Sequence, residues 1–269
     1  MNDQTSDAEY IDMLVSPIEK SGLYLPKMGG STPVDFDLFE GMYGSDPLYH
    51  WIGLDSPLMY SAHKAAGGMT SVYRQLGIGC ERLFRAILRN ELDLTADQVV
   101  WSYEALPTNS RDLKAKKRTL SLDGRVELAD LSDNAARGRV ADWIDAQKRR
   151  LDIDIPLKGA VFEVRQGYKS ADSKRQNGDV SNASQALASG YLPVLAVMST
   201  QINEVVEHRY SITNWSVLKG TVGQNDVNRG TFDFLTQVIG YDLPAFFERN
   251  TDILRSRVET ILSKLLEAK

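Results

Sequence analysis

The stretch DIDIPLKGAVFEVRQGYKS, residues 152–170, decides how the chain is read. If its second half is extended, alternation places Val161, Glu163, Arg165, Gly167 and Lys169 on one side and Phe162, Val164, Gln166 and Tyr168 on the other. One side is suited to a core, and the other carries a carboxylate beside two cations. PLKG, residues 156–159, reads as a turn between two short strands. Placing Ile155 opposite Ala160 pairs Asp154 with Val161 and Asp152 with Glu163, and cross-strand partners share a face. Acid opposite acid destabilises a sheet unless a proton, a neighbouring cation or a metal ion offsets the charge. A solvated edge strand with a weak surface ion pair would show the same alternation.

AARGRVADWIDAQKRR reads as a helix over about 135–149, and KRTLSLDGRVELADL as two strands joined by a two-residue hairpin at Asp123-Gly124. The apolar residues Val72, Leu76, Cys80, Leu83, Phe84, Ile87 and Leu88 recur at helical spacing and predict a helix over about 70–89. DQVVWSYEAL reads as a strand. Downstream, a helix is expected from a cap at Asp172 or Ser173 to a stop at Gly190, followed by the continuous apolar strand YLPVLAVMST and the short helix INEVVEHRY. NTDILRSRVETILSKLLEAK closes the chain as an amphipathic helix that needs a partner surface. Residues 1–68, rich in Pro, Gly and aromatics without sustained periodicity, read as an irregular arm packed on the core. The expected fold class is α/β, a central mixed sheet flanked by helices, with a core over 69–210 and a helical region over 211–269 that dimerises or contacts DNA.

With 269 residues, 42% hydrophobic and 25% charged, the chain can bury a substantial core. Its single cysteine, Cys80, excludes a disulfide framework and a cysteine-based zinc site and favours a reducing cytoplasm. The start lacks the basic and apolar regions of a signal peptide, and no run is apolar and long enough to span a bilayer, so no membrane role is expected. The net charge of −5 conceals an uneven distribution: residues 111–175 carry 16 Lys+Arg against 11 Asp+Glu, and the remainder carries 15 against 25. A local basic stripe is what phosphate binding requires, whatever the total. Lys116, Lys117 and Arg118, with Lys174, Arg175, Gln176 and Asn177, are the expected DNA-binding residues, their side chains being suited to phosphates and base edges. His50, His63 and His208 lack ligand spacing, and GIG at 77–79 lies in a helical pattern rather than a phosphate loop.

Acids with a nearby cation are the equipment for metal-assisted phosphodiester hydrolysis. DIDIPLKGAVFEVR resembles the PD-(D/E)XK nuclease superfamily, type II restriction endonucleases in particular, with Asp154 or Asp152 as the first acid and Glu163-x-Arg165 as the acid-x-Lys element. The helix and apolar strand after it also suit that family's element order. The resemblance implies an enzyme: a Mg²⁺-dependent endonuclease acting on double-stranded DNA as a homodimer at a short palindromic site. A DNA methyltransferase would be its functional partner. It assigns Asp154, Glu163, Arg165 and Lys169 to catalysis and Asp152, Asp154 and Glu163 to the metal. Arg165 departs from the family's lysine, and Arg is a poor proton acceptor. Lys169 and Lys174 are alternatives for the ammonium, Asp130 is a rival first acid, and Glu81 is an outer metal partner. In a shifted reading Glu163 is the first acid and Asp172-Ser173-Lys174 the second element. A non-catalytic DNA-binding scaffold and a repair nuclease without fixed sequence are the other readings.

Overall fold

Four strands in the order β3-β4-β5-β6 carry the architecture: β3 (Gly124–Glu127), β4 (Gly159–Arg165), β5 (Tyr191–Val197) and β6 (Ser216–Leu218). They belong to a computed structural model that describes residues 3–105, 118–167 and 182–267. β3 runs antiparallel to β4, and β5 and β6 follow in parallel. β1 (Trp101–Ala105) and β2 (Arg118–Leu122) form a separate antiparallel pair. The structure is thus mixed α/β with a mixed central sheet. The chain divides into two compact units, residues 1–79 with 247–269, and residues 80–246.

In the second unit β5 is buried along its whole length, which explains the uninterrupted apolar run of its sequence. Side chains of β4 alternate between two cores. Phe162 packs with Phe84 of α4 (Pro57–Glu91), Trp143 of α5 (Asn134–Leu151) and Phe234 of α8 (Thr231–Phe234), with ring centroids 5.1, 6.5 and 5.7 Å away. On the opposite face Val161, Leu195, Val197 and Val217 join Ala183 and Ala186 of α6, whose described residues are 182–188, and Val206 and Tyr210 of α7 (Glu204–Ser211). α5 begins where Asp133 accepts from the N–H groups of Ala135 and Ala136, at 2.9 and 3.2 Å.

Two expected hairpins are absent. Asp123 is a bend at which the chain passes from β2, paired with β1, to β3, paired with β4. Neither Asp123 nor Gly124 has a positive φ, so the turn geometry that Asp-Gly hairpins require is not used. Gly124 is instead needed for close approach: a Cβ there would lie 3.3 Å from Leu88 and 3.5 Å from Phe84. PLKG does not close a hairpin either. α5 continues to Leu151, and Asp152 caps it in the left-handed region at φ 53°, its N–H bonding the Lys148 carbonyl. Both edges of β4 are already occupied by β3 and β5. The β3 approach is so close that a Cβ on Gly159 would stand 2.2 Å from the Val126 carbonyl oxygen. No edge of β4 remains for residues 152–155.

The first unit corrects the expectation of an irregular arm. It contains α1 (Asp3–Glu19), a 3₁₀ turn (Lys20–Leu23), α2 (Phe36–Gly44), α3 (Pro47–Trp51), the first part of α4, the end of α9 (Leu243–Arg249) and the whole of α10 (Thr251–Leu266). α4 is therefore longer than its apolar stripe predicts. The closing helix α10 finds its surface within its own chain: Ile261 and Leu265 are buried, Leu265 lies against Gly68, and Arg257 bonds Asp12 and Glu19 of α1. Gly79 belongs to the same packing, since a Cβ there would meet the Leu14 carbonyl oxygen at 2.2 Å. That is the use of the GIG sequence.

Asp7 of α1 accepts from Arg249 through both carboxylate oxygens, at 2.6 and 2.8 Å, and from Asn250 at 2.8 Å. The Arg249 guanidinium, foremost, holds the Asp7 carboxyl below its ordinary 3.8. A depressed folded pKa gives stability that is complete above the ordinary value and lost as the pH falls through the lower one. Arg249 is 47% exposed, so screening keeps the pair near the bottom of the surface range. Asp7→Asn should lower stability by about 0.5 kcal/mol at neutral pH. Thermal midpoints measured against pH should show that difference closing once the pH is taken well below 3.8.

Candidate functional site

Glu163 and Arg165 sit two residues apart on β4, so the pleat sends both to one face. They form an ion pair in which the Glu163 side chain is 8% exposed and that of Arg165 15%. A buried carboxylate in the middle of an apolar strand, between Phe162 and Val164 which are essentially inaccessible, is costly unless compensated. Arg165 supplies that compensation.

The second acid at this position is Asp123. Its N–H donates to the Phe162 carbonyl at 2.7 Å, and its carboxylate Oδ2 accepts from the Val164 N–H at 2.8 Å. The Asp123 carboxylate therefore rests against the Glu163–Val164 peptide. From α4, the Arg85 Nε donates to the Asp123 carbonyl at 2.8 Å. Glu81 lies one helical turn before Arg85 and so on the same side of α4. The bend at Asp123 thus gathers residues from α4, the β2–β3 junction and β4.

Asp152 and Asp154 are elsewhere. They line a shallow depression at the end of α5 with Asp145, Lys148 and Arg149, and the ladder partner of Glu163 is Leu195 rather than Asp152. Asp130, the rival first acid, bonds Arg125 at 3.0 Å. Lys116, Lys117, Lys169, Asp172, Ser173, Lys174, Arg175, Gln176 and Asn177 lie outside the described residues, as does the side chain of Arg118, whose backbone opens β2. Asp123 and Arg85 are the site residues that sequence reasoning missed. The signal available was an acid at the junction of two alternating segments, 40 positions before Glu163, which a turn assignment absorbed.

The donor set can be tested against a metal. Among the described residues no group of three His, Cys, Asp or Glu side chains is placed to enclose an ion. Mg²⁺ takes one or two carboxylates from protein and keeps water and phosphate oxygens in its remaining positions, and the acids at this bend are Asp123, on the Val164 N–H, and Glu163, paired with Arg165. Cys80 offers no ligand here: burial, reinforced by the Glu81 charge, pushes its thiol up to about 12. Among the described residues no helix is long and apolar enough to cross a membrane. Compared with protein-family models, curated proteins and solved structures, the chain matches none.

Proposed function

We propose that the chain is a Mg²⁺-dependent endonuclease of restriction type on a PD-(D/E)XK-like core, hydrolysing phosphodiester bonds of double-stranded DNA with Asp123, Glu163 and Arg165 at its centre. The observation that carries this reading is the buried Glu163–Arg165 pair with the Asp123 carboxylate against the Glu163–Val164 peptide. An acid at one strand end facing an acid-x-cation on its antiparallel neighbour is what the resembled superfamily requires. In this reading Asp123 replaces Asp152 and Asp154 as the first acid.

Asp123 and Glu163 would hold the ion, which when bound lowers the pKa of a water molecule and screens charge at phosphorus. Arg165 would turn from Glu163 to a non-bridging phosphate oxygen and stabilise charge as it develops there. Its planar fork suits phosphate, but it does not accept a proton. Arg85 positions the Asp123 backbone. Exposed apolar side chains in the first unit, Trp51 at 79% and Leu58 at 80%, support the homodimer that a palindromic site calls for.

Arg165 in place of lysine, engaged with Glu163, favours a second reading as a DNA-binding scaffold that does not cut. Incubation with plasmid and phage-length DNA in Mg²⁺ or in EDTA separates the readings. Discrete fragments in Mg²⁺ and none in EDTA are expected. A smear points to a nuclease without fixed sequence, and retention of uncut DNA to the scaffold.

A further inference from the structure

A cleft of about 370 Å³ opens beside β6, lined among the described residues by Arg150, Lys219 and Arg229 and by the single acid Glu207. Three cations against one acid is an unusual lining for a chain whose net charge is −5. The cations are held in place. Arg150, from the last turn of α5, donates through Nε and Nη2 to Gln147 Oε1 at 3.0 and 2.7 Å, and through Nη2 to Ser216 Oγ at 3.2 Å. Gln147 is itself fully buried and bonds Asn228. Lys219 and Arg229 are joined through their backbones: the Lys219 N–H donates to the Arg229 carbonyl at 2.7 Å, and Thr231 returns a bond of 2.7 Å to the Lys219 carbonyl. Lys219 also pairs with Glu207 at 2.6 Å. Burial lowers the pKa of Arg150, the like charge of Arg229 lowers it further, and Asp226 opposes them. Like charges mounted at one cleft repel until an anion comes between them.

We propose that this cleft binds a phosphate ester, with Arg150, Lys219 and Arg229 as its ligating cations. Its volume falls in the range of small-ligand sites and exceeds what a phosphate group needs. The sheet relates it to Arg165. Arg165 is level with Val197 on β5, and continuing the Ala196–Leu218 pairing by one residue brings Val197 level with Lys219, on the same face. Two strand spacings make the separation about 10 Å. A nucleic-acid strand advances about 3.4 Å per nucleotide, so a backbone phosphate two or three nucleotides from one at Arg165 would reach the cleft. That source rests on the proposed function; a free phosphate ester is the other source of the same chemistry.

The test uses the whole protein and its Arg229→Gln variant, with Arg255→Gln on α10 as a control of equal charge change. Arg229 is exposed, so its replacement leaves the core intact. The probes are a fluorescein-labelled 20-base-pair duplex in EDTA, followed by anisotropy against salt, and inorganic phosphate, followed by the thermal midpoint against chloride of equal ionic strength. If the cleft takes a backbone phosphate, Arg229→Gln weakens duplex binding roughly tenfold at 0.1 M salt and reduces the salt slope by about 1, while Arg255→Gln does neither. If the protein binds no duplex but phosphate raises its midpoint and Arg229→Gln abolishes the rise, the cleft takes a free phosphate ester and the proposed function fails separately. Arg229→Gln indistinguishable from the unaltered protein with both probes overturns the cleft as a phosphate site.

Discussion

On the proposed function, replacing Glu163 by glutamine should lower Mg²⁺-dependent cleavage by about 10³-fold or more, because Glu163 would be a charged ligand of the ion and not merely a binding contact. Glutamine keeps the size and an acceptor oxygen but removes the charge that the Arg165 guanidinium, 15% exposed, meets in its ion pair with Glu163. A buried ion pair that loses one partner is destabilised by about 3–5 kcal/mol, and the residual exposure of Arg165 places this site below that range. Glu163→Gln should therefore be both less active and less stable. The double variant Glu163→Gln with Arg165→Gln separates the two effects: stability should recover substantially while cleavage stays absent. Single-turnover cleavage rates and denaturant midpoints measure each. Recovery of cleavage along with stability in the double variant would show that Glu163 serves the fold alone.

Phe162→Ala should destabilise the second unit by about 3–5 kcal/mol. Phe162 is 1% exposed at the meeting point of α4, α5 and α8, where its ring contacts Phe84 and Phe234 while Trp143 stacks at 13°. Truncation removes the transfer free energy of a ring and leaves a cavity that three helices anchored elsewhere cannot close. Phe162→Leu retains most of the volume and should cost only about 1–1.5 kcal/mol. Trp101, Trp143 and Trp215, three of the four tryptophans, belong to residues 80–246, so fluorescence against denaturant reports on this unit. A loss below about 1 kcal/mol for Phe162→Ala would mean that the helices on that face collapse into the space.

The elements that sequence reasoning found share one property: their pattern is local. The apolar run of β5, the stripe of α10 and the alternation of β4 are each contained within their own segment. Glu163 and Arg165 on one face follow from that alternation alone. The partner acid was not legible because it depends on which strand lies beside β4. β3 and β4 are separated by the whole of α5, and nothing in DIDIPLKG shows that Asp152 will turn left-handed to cap that helix. The shortest connection offered a hairpin, while the fold uses the longer one. α1 was missed for a related reason: its apolar face is interpretable only once α10, more than 200 residues later, is placed against it.

On the proposed function Asp123, and not the aspartates after α5, completes the centre with Glu163. The most direct measurement is the rate at which supercoiled plasmid is cut in Mg²⁺ by the unaltered protein, by Asp123→Asn and by Asp154→Asn, with the thermal midpoint of each recorded. Asp154 lies in the depression at the end of α5, so Asp154→Asn should cut at the unaltered rate, whereas Asp123→Asn should be silent while remaining folded. A folded Asp123→Asn that cuts at the unaltered rate, beside an Asp154→Asn that does not cut, would contradict the account.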